Sequence, residues 1–491
     1  MKIVIVGGGT AGWMTASTLV KAYPDWDISL YESPGIPPTG VGESTTQFFR
    51  LWLNFLGLQD EDWMAACDAT YKISVRFTNF HDVNDIPWQY PFGVPRNDGY
   101  TPDFWFWYAY RAKWGYDKFA DDYYLAAKCS KWNRLPIGEY AEQYYRLRKH
   151  SGFHFNAVKF ANWLRDEYAT PRGVKHYVED VDVNNLPEAD LYFDCTGFKS
   201  LLNDSPWKDF YDYLPNDRAW VTQIPYGMHG RDPDWEMVPV TDCTALSSGW
   251  VWNVPTWNRI GTGYVFCSDY LSEEAAKQEF KEHLGVDDDH EFRLIKFKTG
   301  RKKEAWKGNV VSIGLSAGFV EPLESNGLLS IHNYLLYFLR VMHSQDGMKK
   351  NVTQFMRDTF NNHCNYTFDA FASFVASHYA MTNRNDTPYW RHVSNIRYPY
   401  GGKDSITGAQ VSFMEESSNF ADKFSMDNLA KEGLFCIMAG HGWNPFNDVI
   451  YNEMDFFGYD VPDYNDMRWD EDELRDMPLP IEYYKETLYA S

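Results

Sequence analysis

The strongest constraint on the fold stands at the start of the chain. The apolar run Ile3-Val4-Ile5-Val6 leads directly into Gly7-Gly8-Gly9-Thr10-Ala11-Gly12. A short buried strand followed by glycines at this spacing predicts a strand–turn–helix unit that binds a dinucleotide. Residues 2–6 read as the strand, Gly7–Gly12 as the turn and Trp13–Ala22 as the helix. Gly7 permits the tight turn, Gly9 lets the backbone approach a pyrophosphate, and Gly12 lets helix and strand pack closely. Thr10 and Ala11 join them as cofactor-binding positions, because a helix N-terminus presents free N–H groups and a favourable dipole to phosphate. Ile28-Ser29-Leu30-Tyr31-Glu32 reads as the second strand, with Glu32 twenty residues beyond Gly12. A carboxylate there accepts hydrogen bonds from both hydroxyls of an unphosphorylated adenosine ribose.

The rest of the chain narrows the class. Its 491 residues carry 46 basic and 68 acidic side chains, a net charge of −22, and no basic run. Such a chain is poorly suited to gripping nucleic acid through its phosphates. The acidic stretch Asp466–Asp476 reads as a solvated surface. Seven scattered cysteines without a Cys-x-x-Cys pair argue against a disulfide framework or a zinc site, so no metal is expected. With a strand beginning at residue 2 and no long apolar run, neither a signal peptide nor a membrane span is expected, and the cytoplasm is the default location.

Later segments return to the first sheet. Ala189–Asp194 is strand-like and ends in Cys195-Thr196-Gly197, and Asn309–Ile313 is a buried strand ending in Gly314. A helix begins at about Asn326, with Leu328, Ile331, Leu335, Leu339 and Met342 at helical spacing. Residues 205–300 look β-rich and residues 346–491 mainly helical. The expected architecture is α/β: a discontinuous Rossmann-like FAD-binding core over 1–345 with a β-rich insertion at about 205–300, then a helical C-terminal substrate region over 346–491. FAD is preferred to NAD because the motif opens the chain. In addition, the strand ends at Gly197 and Gly314 resemble later dinucleotide contacts of the glutathione-reductase and hydroxybenzoate-hydroxylase type of fold.

A second motif is more specific. Gly249-Trp250-Val251-Trp252-Asn253-Val254-Pro255 resembles the WxWxIP signature of flavin-dependent halogenases. Other segments resemble the tryptophan and indole halogenase family in order. They are Gly7–Met14, the loop Gly40-Val41-Gly42-Glu43-Ser44-Thr45, Ala69-Thr70-Tyr71-Lys72, Tyr90-Pro91-Phe92-Gly93, Arg259–Val265, and Gly318–Gly327. The resemblance spans roughly residues 1–345.

That resemblance implies a two-component enzyme. Reduced FAD, supplied by a separate flavin reductase, would turn oxygen and a halide ion into hypohalous acid. The acid would travel to a lysine beside an electron-rich aromatic substrate, which is then chlorinated, brominated or iodinated. Lys72 matches the essential lysine, acting as an ammonium that hydrogen-bonds the acid or as an amine that forms a haloamine. Burial favours the amine. Glu324 is the candidate for orienting the oxidant and taking up the ring proton, with Glu321 its rival. Gly42, Glu43 and Ser44 match the strap over the flavin, and Ser325 a link between flavin and substrate sides. The amides of Asn326 and Gly327, at a helix start, match a halide site. Trp250 and Trp252, two apart on a strand, face the same side. With Pro255 they match a wall separating flavin from substrate. Tyr90 and Phe92 match the substrate pocket, Phe92 as a stacking ring.

Departures from the family point away from free tryptophan. Tyr90 stands where a histidine is usual, and Asn326 where threonine is usual. The segment Ser417–Phe424 lacks the aromatic and acidic cluster that grips the amino acid, although Gly433–Gly442 still looks like family sequence. The cluster Phe104–Tyr108 reads as core. A larger or less polar indole, a phenol or another electron-rich arene is expected as substrate, and a homo-oligomer as the assembly. Bromide and iodide, being easier to oxidise than chloride, are expected to be used at least as readily. The alternatives are a flavin-dependent aromatic hydroxylase, which needs neither Lys72 nor the tryptophan wall, and a flavin-binding interaction module without turnover.

Overall fold

A computed structural model describes residues 1–35, 43–96, 119–343, 352–396, 436–442 and 469–490. The chain divides into two compact units. The first comprises Met1–Ala69, His154–Pro215 and Lys296–Ala372, and the second Thr70–Phe153, Asn216–Ile295 and Ser373–Ser491. The expected boundary at residue 345 does not coincide with this division.

The first unit is built on a six-stranded sheet. Its order is Trp306–Lys307, Val310–Ser312, Leu191–Asp194, Lys2–Val6, Asp27–Glu32, Lys175–Val178. All neighbours are parallel except the first pair. Ile5 pairs with Leu30 on one side and Phe193 on the other, and Ile3, Val4 and Ile5 are fully buried. A central parallel strand is covered on both faces, which is why its sequence is continuously apolar. The first helix spans Thr10–Ala22 and is buried without a break from Gly12 to Val20. It therefore starts three residues earlier than expected, inside the glycine motif. Small residues there, Gly9 to Gly12, let the helix begin against the strand ends. The helix Asn326–His343 follows the expected period, but Phe338 rather than Leu339 is its buried ring in that turn.

The second unit carries a seven-stranded sheet. Its order is Arg293–Lys296, Arg218–Ile224, Ile260–Phe266, Gly249–Pro255, Val240–Ala245, Ser74–Thr78, Trp88–Pro91. Val240–Ala245 and Ser74–Thr78 run parallel, and the neighbours either side of them are antiparallel. The helix Glu273–Leu284 covers one face, burying Ala276, Phe280 and Leu284 against Val251, Tyr264 and Phe266. Ser272 Oγ caps it by accepting from the Ala275 amide at 3.2 Å, and Gly285 ends it in the left-handed conformation, φ 67°. The β-rich middle agrees with the sequence reading, and the described residues beyond 352 hold helices at Gln354–Ala380, Pro388–Val393, Glu471–Asp476 and Pro480–Thr487. Among the described residues no helix is long and apolar enough to cross a membrane. All seven cysteines are buried and none forms a disulfide.

Candidate active site

In the first unit, three strand ends converge on the glycine motif. The Cys195 amide donates to Val6 O at 2.8 Å and the Ile313 amide to Asp194 O at 3.0 Å. Buried Asp194 organises the loop after its strand. Its carboxylate accepts from the Thr196 amide (3.1 Å) and hydroxyl (2.6 Å), and from the amides of Leu202 (2.9 Å) and Asn203 (3.2 Å). This fixes the turn that carries Gly197 at φ 68°.

Gly7 sits at φ 114°, and a Cβ there would lie 2.3 Å from Cys195 O. A Cβ at Gly12 would lie 1.8 Å from Gly7 O, so the helix rides directly on the turn. Gly314, at φ 72°, brings the third strand end against the motif helix: its Cβ would stand 2.9 Å from that of Ala11. Gly9, at the helix N-cap with φ −76°, is different: a Cβ there meets nothing within 4 Å. The protein itself makes no demand for glycine at that position, and a phosphate approaching the backbone would. Glu32 ends the second strand with its carboxylate folded over Gly8, where a Cβ would overlap it at 1.7 Å. Gly8 is thus a requirement that the motif pattern does not reveal. These residues fit the pyrophosphate and ribose of a dinucleotide.

The same unit holds the strap and the glutamate turn. Gly42 lies outside the described residues, while Glu43 and Ser44 form a short strand. Ser325 Oγ donates to Ser44 Oγ at 3.0 Å, joining the Glu321–Gly327 segment to the strap. Ser325 adopts φ 56°, a conformation uncommon outside glycine and often found at functional sites. Glu321 and Glu324 are both buried. The helix beginning at Asn326 places the Asn326 and Gly327 amides in its first turn, where no intrahelical acceptor exists. The Asn326 side chain reaches back to Glu321 O at 3.5 Å. Burial pushes the Glu43 carboxyl up to about 7.

In the second unit, Lys72 ends the short strand Thr70–Lys72, all three residues of which are buried. Its Nζ stands 5.0 Å from the centre of the Phe92 ring. The two are brought together by the backbone, because the Phe92 amide donates to Ile73 O at 2.8 Å. Phe92 meets Tyr90 edge-on at 6.3 Å, and Tyr90 meets Phe374 at 6.0 Å. Lys72, Phe92 and Tyr90 therefore form one aromatic-lined group, with Phe374 a member that no sequence motif marked.

The tryptophan strand is tied to the same group. Thr70 Oγ1 donates to Pro255 O at 2.6 Å. The rings of Trp250 and Trp252 lie 6.0 Å apart on one face, as their spacing requires. Their cross-strand neighbours explain how two indoles fit. Trp252 pairs with Cys243 and Gly263, and Trp250 with Ala245 and Val265. A Cβ at Gly263 would collide with the Trp252 ring at 2.2 Å. Phe104–Tyr108 and Ser417–Phe424 lie outside the described residues. Among the described residues no group of three or more His, Cys, Asp or Glu could hold a metal ion.

Comparison with known proteins gives a consistent result. The model of the family "Tryptophan halogenase" matches residues 2–448. The chain is 33% identical over 489 residues to the 7-chloro-L-tryptophan 6-halogenase KtzR of Kutzneria sp. (strain 744), covering 90% of each chain. It is 36% identical over 463 residues to the tryptophan 6-halogenase SttH of Streptomyces toxytricini, covering 85% of this chain and 86% of that one. The solved apo structure of VirX1 superposes with a TM-score of 0.85 at 35% identity, over 99% of both chains. These relatives favour halogenation over the hydroxylase alternative.

Proposed function

We propose that this chain, which belongs to the tryptophan halogenase family, is a two-component halogenase of electron-rich aromatic rings, with Lys72 delivering the halogen. It is a flavin-dependent enzyme. The finer reading is that FAD is used in its reduced form, supplied by a separate reductase. Bound there, reduced FAD with oxygen and a halide ion supplies hypohalous acid. Gly7, Gly9, Thr10, Ala11 and Gly12 hold the pyrophosphate, Glu32 the ribose, and Gly42, Glu43, Ser44, Gly197, Gly314 and Ser325 the remainder of the cofactor. The amides of Asn326 and Gly327 hold the halide. Trp250, Trp252 and Pro255 keep the flavin and the organic substrate apart.

The observation that carries this reading is a fully buried lysine whose Nζ faces the ring of Phe92 within an aromatic group. A fully buried amine is costly to keep, and its place beside aromatic rings suits a chemical role. Lys72 hydrogen-bonds or binds the electrophilic halogen. Glu324 takes the proton that leaves the ring. Phe92 and Tyr90 hold the substrate ring by stacking and edge contacts. The phenol of Tyr90 in place of a histidine, and the altered 417–424 sequence, support a less polar indole or a phenol rather than free tryptophan.

The test is product mass from a panel of indoles and phenols. Each reaction contains reduced FAD from an unrelated reductase, oxygen and one halide. A halogen mass shift is expected, with bromide and iodide giving at least as much product as chloride. Lys72→Ala should abolish product while retaining flavin affinity and halide oxidation, read with a freely diffusing scavenger. Undiminished product from Lys72→Ala removes the assignment, and a one-oxygen shift supports hydroxylation instead.

A further inference from the structure

The strand that carries Lys72 is three residues long. So short a strand has few ladder hydrogen bonds with which to fix its position. Among the side-chain contacts that act on it from elsewhere in the second unit are two hydrogen bonds. One is the Thr70 hydroxyl on Pro255 O. The other comes from the last helix, Pro480–Thr487: the Tyr71 amide donates to the hydroxyl of Tyr484 at 2.6 Å, across 413 residues of sequence. Tyr484 is fully buried. Its ring lies 5.9 Å from that of Tyr71 and edge-on to Trp257 at 6.4 Å.

The helix that presents this hydroxyl is itself held. Tyr489, just past the helix end, stacks on Trp257 at 4.0 Å and 9°. Pro478 O accepts from the Leu135 amide at 3.0 Å, Trp469 Nε1 donates to Asp121 O at 2.7 Å, and the Asp470 amide donates to the Tyr140 hydroxyl at 3.1 Å. Glu482 caps the helix start by accepting from the Leu479 amide at 3.1 Å. Residues 469–490 are secured at both ends, and the buried hydroxyl is aimed at the peptide unit next to the lysine.

We infer that Tyr484 is a positioning residue for the halogenation step: its hydroxyl fixes the Tyr71 amide and so sets where Lys72 Nζ stands relative to the ring of Phe92. The inference rests on the assignment of Lys72. It assigns a catalytic consequence to a stretch whose sequence bears no motif. Delivery of a halogen from a lysine to one carbon of a bound ring depends on sub-ångström placement, and a misplacement of about 1 Å costs on the order of 100-fold in rate. Removing the hydroxyl takes away the acceptor that Tyr484 offers the Tyr71 amide and loosens that tie on the lysine strand.

The experiment uses the full chain with Tyr484→Phe, which deletes one atom and keeps the ring. 3-Fluorotyrosine incorporated at position 484 serves as a second variant that keeps a hydroxyl but weakens it as an acceptor. The readouts are flavin affinity, halide oxidised (by scavenger), halogenated product, KM for the aromatic substrate, and melting temperature. The expected result is unchanged flavin affinity and halide oxidation, with product per halide oxidised falling by about 10- to 100-fold. KM should stay within about threefold, and 3-fluorotyrosine should fall between wild type and Tyr484→Phe. Unchanged product per halide oxidised overturns the inference. So does a fall in product matched by equal losses in flavin affinity and halide oxidation, the signature of a merely structural tie. Lys72→Ala run alongside separates the two levels. If it keeps product, the lysine assignment and this inference both fail; if it loses product while Tyr484→Phe does not, positioning alone fails.

Discussion

Gly7 and Gly9 stand two residues apart and carry different obligations. At Gly7 the backbone conformation and the carbonyl of Cys195 both exclude a side chain. Gly7→Ala is expected to destabilise the first unit by about 3 kcal/mol or more, measured by denaturant unfolding. At Gly9 a methyl group meets open space, so Gly9→Ala should melt like wild type yet bind FAD at least about tenfold more weakly, a loss of about 1.4 kcal/mol by titration calorimetry. Equal damage from both would show that Gly9 serves folding rather than phosphate. Glu43 makes a pH prediction. Its carboxyl is raised by burial from 4.5 to about 7. Between these values the folded protein keeps a proton the unfolded chain has lost, so this contribution is full below pH 4.5 and is lost as pH rises to 7. Glu43→Gln should remove that slope from the unfolding free energy of the flavin-free protein. At this scale the sequence was informative where spacing encodes chemistry, as in Gly7, Gly9, Gly12 and Glu32. It was silent on Gly8, whose requirement comes from the folded position of the Glu32 carboxylate.

Periodicity located the elements well and their partners poorly. The opening strand, the helix from Asn326 and the shared face of Trp250 and Trp252 follow from runs and spacings that read locally. The helix start at Thr10 was missed because glycine-rich sequence looks like turn until the strand beneath it is known. Tyr484 was invisible for a stronger reason: its bond to the lysine strand joins positions 413 residues apart, and no local period records such a contact. The fit of the tryptophan pair likewise depends on a neighbouring strand. Gly263 faces Trp252 across the sheet and leaves no room for a methyl group. Gly263→Ala is therefore expected to displace the Trp252 ring while the sheet persists. Far-ultraviolet circular dichroism should be retained and tryptophan emission altered; unchanged emission would show that the ring yields without moving. The cost should be on the order of 1–3 kcal/mol, the usual range for overpacking.

The chain as a whole answers to acid through buried imidazoles. Burial lowers His332 and His363 from 6.5 to about 3. Each is neutral in the fold where the unfolded chain would be protonated, so stability is full above pH 6.5 and drains as pH falls toward 3, by up to about 1.4 kcal/mol per pH unit for each. Replacing His332 with leucine should shift the acid-unfolding midpoint of the first unit downward, followed by circular dichroism. The division of the molecule into two units, each assembled from three separated stretches, was not legible as a boundary in the sequence. Composition changes mark linkers, and here the chain crosses between compact units without one. The placement of the cysteines has a consequence on this scale too. Thiols consume hypohalous acids faster than almost any aromatic ring does, so a catalyst of this kind carries potential quenchers in its own chain. Here all seven are buried. The native protein should accordingly react with none of its thiols toward a bulky disulfide reagent until it is denatured, and the oxidant it generates is left for the substrate.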